Sequence, residues 1–214
     1  MLVISTGLNT PAMARMRCLR SVKEQIGVDR QHVFLDAAST VPPMAHFEYL
    51  DQMIRDMPKN EIVVSLDLDD WLARPDALAL VKKHHDDGAW VTYGSFRHAD
   101  GRAGFCRQLE GDPRKLPWVT SHLKTFRAGL FQRIKTDDLK LDGEWLQHAR
   151  DLALMFPLLD MAGRERSHFV PEDLAIYNYA NSGEFKGPES VRAEERRCVA
   201  HVRGLKPYER VDAL

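Results

Sequence analysis

The segment that most constrains this chain is residues 61–72, Glu-Ile-Val-Val-Ser-Leu-Asp-Leu-Asp-Asp-Trp-Leu. An apolar, mostly β-branched run of this length reads as a strand buried in a parallel sheet. It closes on Asp67, Asp69 and Asp70, at the C-terminal end of the strand, where open α/β sheets hold their ligands. Asp67 and Asp69 stand two apart, so in an extended segment they point to the same side. Such a pair can hold one hard divalent cation together with the phosphates that the cation neutralises. An Asp-x-Asp taken alone reads more readily as a solvated acidic turn, and the rest of the chain has to decide between the two.

The flanking pattern supports a sheet. Residues 2–5 are apolar and lead into the turn-like Thr6-Gly7-Leu8-Asn9. Pro11 opens a helix in which Met16, Leu19, Val22 and Ile26 recur at helical spacing until Gly27. Residues 32–35 read as a second strand closing on Asp36, with a loop at residues 37–40 and a break at Pro42-Pro43. Phe47, Leu50, Ile54 and Met57 mark a second amphipathic helix. A third opens at Pro75 and runs to about Asp87, with Leu78 and Val81 inward, and residues 90–93 read as a fourth strand. This β-α-β-α-β-α-β alternation predicts a mainly parallel sheet with helices on both faces, and it sets Asn9, Asp36 and Asp67 along one edge. The chain has neither a Gly-x-Gly-x-x-Gly after the first strand nor a Walker lysine motif, which excludes two common phosphate-binding loops.

Beyond residue 95 the regularity falls. Residues 97–117 read as an irregular excursion or hairpin, and residues 118–134 mix aromatics with cations. Residues 145–161 read as an apolar helix interrupted by Pro157 and capped by Gly163, and residues 169–177 as a late strand. A loop at 178–187 precedes a charged helix at 188–203, whose sparse apolar side is Val191, Cys198, Val199 and Val202.

The length of 214 residues suits one domain with a full core, or one with a small appendage. No apolar run approaches a membrane span, and Met1 leads straight into the apolar Leu2-Val3-Ile4 with no leader pattern, so the expectation is a cytoplasmic protein without membrane contact. Cys18, Cys106 and Cys198 are odd in number and widely spaced, which argues against a disulfide framework. The net charge of −1 hides an asymmetry: residues 96–135 hold 9 Lys/Arg against 3 Asp/Glu, while residues 1–95 hold 10 against 13 and residues 136–214 hold 11 against 15. A local basic excess is either a solvated face or a surface for an anionic partner.

Four segments in order resemble the family 2 glycosyltransferases of GT-A fold. Residues 17–25, Arg-Cys-Leu-Arg-Ser-Val-Lys-Glu-Gln, are similar to the family's first helix. Residues 65–72 resemble its Asp-x-Asp-Asp-Trp region, residues 149–154, Ala-Arg-Asp-Leu-Ala-Leu, its late acidic motif, and residues 176–181, Ile-Tyr-Asn-Tyr-Ala-Asn, its closing segment. The resemblance implies an α/β, Rossmann-like GT-A domain over residues 1–181. Its nucleotide-sugar half is 1–95, its acceptor half 96–181, and a helical extension follows at 182–214. Two departures stand out. The loop after the second strand carries one acid and no glycine, and Arg150 replaces the first acid of the late pair, leaving Asp151 alone. The family's membrane segments are missing, which disfavours a lipid-linked acceptor.

The activity implied is transfer of a sugar from a nucleoside-diphosphate sugar, with UDP favoured, to an acceptor hydroxyl, assisted by Mn2+ or Mg2+. The resemblance makes Asp69 the direct metal ligand, with Asp67 on the ribose or the metal, and Asp151 the general base. One base and direct displacement imply inversion at the anomeric carbon. Thr6, Asn9 and Asp36 are expected to hold the nucleoside. Asp70, Trp118, His122, Lys124 and Arg127 are the expected acceptor or diphosphate contacts. The cations of residues 97–135, interleaved with Phe96, Phe105, Trp118 and Phe126, suit an anionic acceptor, of which a hydroxymethylated base in DNA is the sharpest version. Two readings from other classes compete. A haloacid-dehalogenase-type phosphatase would use Asp67 as nucleophile beside Asp69, and a non-catalytic nucleotide-binding module would bind without a metal. The oligomeric state is left open.

Overall fold

The computed structural model describes residues 1–37, 44–178 and 188–214. The expected loop at 37–40 beyond Ala37, the Pro42-Pro43 break, most of the 178–187 loop, the closing motif beyond Asn178 and the 181/182 boundary lie outside the described residues.

The first half alternates as expected: β1 (Leu2–Gly7), α1 (Ala12–Lys23), β2 (Gln31–Asp36), α2 (His46–Ile54), β3 (Ile62–Asp67), the short β4 (Trp71–Leu72), α3 (Ala77–Asp86) and β5 (Val91–His98). The second half holds β6 (Lys124–Arg127), α4 (Ala128–Phe131), a small hairpin of β7 (Lys140–Leu141) and β8 (Glu144–Trp145), then α5 (Arg150–Ala162), β9 (Ser167–Tyr177) and α6 (Glu189–Gly204). Seven strands form one sheet in the order β2-β1-β3-β6-β5-β9-β4. β1 pairs parallel with β2 and β3, and β5 pairs parallel with β9. β6 runs antiparallel between β3 and β5, and β4 antiparallel to β9.

Alternation along β3 explains its position. Val63 belongs to a core with Phe47, Leu50 and Ile54 of α2 and Phe156 of α5, while Ile62, Val64 and Leu66 join Cys18 and Val22 of α1 and Leu78 and Val81 of α3 on the other face. A strand covered on both faces is apolar through most of its length; its polar residues, Ser65 and Asp67, come at its C-terminal end.

Three expectations need correcting. The α1 stripe is Ala14, Cys18 and Val22, whereas Met16 is 60 % and Ile26 61 % exposed. Small residues at i, i+4 and i+8 let the helix lie close on the sheet, and the larger side chains sit on its outer face. The late helix begins at Arg150 rather than 145, because Trp145 belongs to β8 and Ala149 turns the chain with φ +55°. Asp142-Gly143, at φ +54° and +85°, makes the tight turn between β7 and β8 that this dipeptide favours. The third correction is β6, a reversed strand in a stretch with no strand expectation. The late strand Ser167–Tyr177 and the terminal helix Glu189–Gly204 fall where expected, though only Cys198 and Val202 of that helix's apolar side are buried. All three cysteines are free. No helix among the described residues is long and apolar enough to cross a membrane.

The buried face of α1 is directly testable. Val22→Ala should lower unfolding free energy by about 1–3 kcal/mol, and Ile26→Ala should stay within about 0.5 kcal/mol of the parent, both read from urea denaturation. The reverse order would restore the stripe expected from sequence.

Candidate active site

The site forms where β1, β2 and β3 end together. Thr6 pairs with Leu35 and Asp67 in register, and Gly7 with Asp36. The chain turns sharply after β3: the Leu68 N–H donates to the Thr6 carbonyl at 2.8 Å and the Asp70 N–H to the Asp67 carbonyl at 3.0 Å. Gly7 is required by this crowding, since a Cβ there would sit 2.1 Å from Thr10 Oγ1 and 2.9 Å from Leu68 Cβ.

Asp36 is buried and receives the Asn9 N–H on Oδ1 at 2.8 Å and the Thr10 N–H on Oδ2 at 3.1 Å, with an Arg15 guanidinium nitrogen at 3.7 Å. Its carboxylate therefore holds the β1–α1 turn, where Asn9 adopts φ +53°. Thr6 Oγ1 lies 2.6 Å from Nδ1 of His46, the first residue of α2. Thr6, Gly7, Leu35, His46, Gln147 and Arg150 are among the residues lining a small cavity of about 60 Å³ at this strand edge. Burial, reinforced by Arg150, keeps the His46 imidazole well below its ordinary pKa, so the ring is neutral at pH 7.

The reversed strand supplies the centre of the site. Lys124 is directly opposite Ser65, which puts its side chain on the Ser65 and Asp67 face of β3. Only 1 % of that side chain is exposed, and its Nζ lies 2.6 Å from Asp151 Oδ1 and 3.9 Å from Asp67 Oδ2. Burial would lower the Lys124 pKa, but the Asp151 and Asp67 charges overcome it and hold the ammonium above its ordinary value. Asp151 sits in the first turn of α5, so one buried cation joins an acid from β3 to an acid from the late helix.

Asp70 and His122 form a second layer. Asp70 is fully buried, and its Oδ1 accepts the Asn178 N–H at 2.8 Å. His122 stacks on Tyr177 at 5.2 Å between ring centroids and meets Phe96 edge-on at 5.3 Å. Its Nδ1 lies 3.6 Å from Asp70 Oδ2. Asp67, Asp70 and His122 each offer one ligand atom within 4.8 Å of the others, the one such group of His, Cys, Asp or Glu among the described residues. Asp69 is outside that trio.

The three neighbouring acids are driven apart. Burial tends to raise Asp67, but Lys124, His122 and Arg150 hold it well below the usual carboxylate range. Burial, then the Asp67 charge, pushes Asp69 up to about 6. Burial and both neighbouring carboxylates push Asp70 well above its ordinary value. Burial and Lys124 lower His122 to about 4, leaving it neutral at pH 7. A concentration of carboxylates this poorly hydrated, beside a neutral imidazole, fits a divalent cation.

Of the candidate residues, Thr6, Asn9, Asp36, Asp67, Asp69, Asp70, His122 and Asp151 are gathered at this edge. Arg127 is not: it pairs with Ile62 at the opposite end of β3, and its guanidinium donates to the carbonyls of Asn60 and His85. Trp118 packs on Phe156, more than a turn along α5 from Asp151. Half of the net basic excess of residues 96–135 is met by acids from outside the segment, Asp173, Asp160 and Asp151. Arg97, Arg102, Arg114, Lys115 and Lys124 pair with Asp173, Asp100, Asp160, Asp112 and Asp151, and Arg133 donates to the Ala213 carbonyl. His46 and the His122–Asp70 contact had no sequence signal. Lys124, expected as an acceptor or diphosphate contact, is here buried between Asp67 and Asp151.

No protein-family model matches this chain, and no curated protein matches its sequence. Solved structures do match. S. aureus TarS 1–349 in complex with UDP-GlcNAc superposes with a TM-score of 0.61 at 16 % identity, over 97 % of this chain and 68 % of that one. The mannosyltransferase PcManGT from Pyrobaculum calidifontis, in complex with GDP-Man and Mn2+, gives 0.60 at 17 % identity, over 97 % and 65 %. A longer S. aureus TarS structure gives 0.56 at 17 %, and this chain spans 38 % of it. The fold is therefore GT-A, as the sequence resemblance implied. The Asp-x-Asp that the phosphatase alternative would use begins at the end of the third strand of this GT-A fold.

Asp69 gives this site a pH signature. Its carboxyl binds a proton more tightly folded than unfolded, so its ionisation destabilises the fold progressively from about pH 4 to about pH 6 and by a constant amount above. In EDTA, Asp69→Asn should therefore gain stability over the parent across that window, reaching on the order of 2 kcal/mol at pH 7 after allowance for partial solvent screening. Urea midpoints at pH 4 and pH 7 decide it, and a gap that does not widen with pH refutes the assignment.

Proposed function

We propose that this chain transfers a sugar from a nucleoside-diphosphate sugar to an acceptor hydroxyl with the help of a divalent cation. The observation that carries the reading is the Lys124 clamp: within a GT-A fold, one buried ammonium joins Asp67 at the donor edge to Asp151 at the start of α5. Two solved structures of the same fold hold UDP-GlcNAc, and GDP-Man with Mn2+, which supports this class of donor.

Each residue has a distinct task. Asp36 holds the β1–α1 turn and so shapes the nucleoside end of the site, with Thr6 and Asn9 beside it. Asp67, kept ionised, would meet the ribose and the cation, and Asp69 would be the further cation ligand. Mn2+ or Mg2+, when bound, neutralises charge building on the leaving diphosphate. Arg150, which lines the small cavity, adds a positive charge for the same phosphates. Asp151 accepts the acceptor's hydroxyl proton. Its side chain is 35 % exposed, so an acceptor can reach it, and the Lys124 ammonium at 2.6 Å orients it. One base with direct displacement gives inversion. The acceptor screen begins with hydroxymethylated DNA, although most cations that would form a polyanion track are already paired, and extends to glycans and small phosphorylated alcohols.

Melting the protein with UDP, GDP and other nucleoside diphosphates, with and without Mn2+, tests the donor. A Mn2+-dependent rise with one of them, lost in Asp69→Ala, is expected, and no rise with any of them refutes the reading. With a donor in hand, Asp151→Asn should reduce transfer about 10²–10⁴-fold while nucleotide binding stays near the parent value, and NMR of the product should show an inverted anomeric centre. Undiminished transfer in that variant removes Asp151 as base.

A further inference from the structure

Two side-chain atoms behind the donor edge are left without partners. Asp70 is 0 % and His122 4 % exposed, yet Asp70 Oδ2 and His122 Nδ1 have no hydrogen bond. They face each other at 3.6 Å. We propose that Asp70, His122 and Asp67 form an inner cation site, built from protein atoms alone, that takes a first-row transition ion such as Mn2+ in the absence of any nucleotide.

The geometry supports it from several directions. Two ligand atoms about 2.1 Å from a shared ion stand about 3.0–3.4 Å apart, so the observed 3.6 Å closes with a small contraction. An Asp67 oxygen lies within 4.8 Å of both; two ligands about 2.1 Å from one ion stand at most about 4.2 Å apart, so this partly exposed carboxylate moves inward when the ion is taken up. The remaining freedom of both orphaned groups is already spent. Asp70 Oδ1 is committed to the Asn178 N–H, and the His122 ring is held by Tyr177 and Phe96, so neither side chain can turn to another partner. Buried polar atoms left unmatched are costly, and an ion that uses both removes the cost. Charge agrees: even without Asp70, the three acids Asp67, Asp69 and Asp151 outnumber the nearby cations Lys124 and Arg150. An imidazole nitrogen in the set favours a transition ion over Mg2+, which prefers oxygen and holds its waters.

This goes beyond the transferase reading, which places a cation on Asp67 and Asp69 with donor phosphates completing its shell. The inner site needs no donor and stands whether or not the chain transfers sugar. The competing account is a plain carboxyl–imidazole contact that shares a proton and ignores metal.

The test uses the full chain, stripped with EDTA and dialysed, then titrated with MnCl2 alone. Free Mn2+ is read by the amplitude of its six-line EPR signal, and melting temperature is followed in parallel. One equivalent should leave the free signal, with a rise in Tm, and MgCl2 at equal concentration should give none. His122→Phe keeps the ring on Tyr177 but removes the nitrogen and should weaken uptake at least tenfold. Asp70→Asn keeps the Asn178 bond and should do the same, which preserves the test if the first variant fails to fold. The proposal is overturned if no Mn2+ is taken up without nucleotide, or if His122→Phe and Asp70→Asn bind as the parent does. Neither readout involves transfer or a nucleotide, so failure here leaves the transferase test untouched, and the converse holds.

Discussion

A buried ammonium dictates the layout of this protein's centre. An ammonium that has lost its water must be met by carboxylates with good geometry, or the fold loses several kcal/mol. Lys124 finds them on two elements far apart in sequence, Asp67 closing β3 and Asp151 opening α5. It can do so because β6 runs against its neighbours: the reversed strand carries Lys124 to the C-terminal end of β3, opposite Ser65, while its other end, at Arg127, returns to the start of the same strand. To the apolar core shared by the two halves of the chain, this ion pair adds one fixed polar point of contact. That point is also where the candidate chemistry gathers.

Around this pair, four acids that are identical or nearly so in isolation acquire different characters. Asp67 is ionised by Lys124, Asp69 is poised near neutrality by burial and by Asp67, and Asp70 is driven towards its neutral form. Asp36 accepts two backbone N–H groups. Groups whose environments separate them in this way can divide labour within a few ångströms. His46 and His122 are kept neutral by the same burial, so they act here as hydrogen-bonding or ligating nitrogens and not as charges.

Much of the first half could be read from the sequence, because each of its strands is a short apolar run and each helix repeats at a regular spacing. The strand ending in Asp67 declared itself through Ile62, Val63 and Val64, and the strand edge through Asn9 and Asp36. The late helix carrying Asp151 is legible in its apolar content, but its start is not, because Trp145 is apolar too and belongs to β8, just beyond the Asp142-Gly143 turn. What periodicity could not show is pairing. β6 is four residues long, too short to announce a period, and nothing local says that it inserts in reverse between two distant strands. The α1 stripe failed for a related reason: size was taken for burial, whereas close packing selected Ala14 and Cys18. The basic excess of residues 96–135 was real as composition, but a charge count does not know where the acids of β9 and α5 will stand.

After α6 the chain folds back over the body. The Tyr208 hydroxyl donates to Asp138 at 2.5 Å and accepts the Lys135 N–H at 2.8 Å, while the Tyr208 N–H reaches Asp160 at 3.0 Å. Asp160 in turn grips the buried Arg114 at 2.7 Å, and the Val211 N–H reaches the Met161 carbonyl at 3.0 Å. Asp160 and Met161 lie near the far end of the helix that begins with Asp151. The last ten residues thus act as a girdle on a lever: they brace the distal end of α5 against the core, and the aim of a carboxylate two and a half turns away depends on how tightly that girdle is drawn.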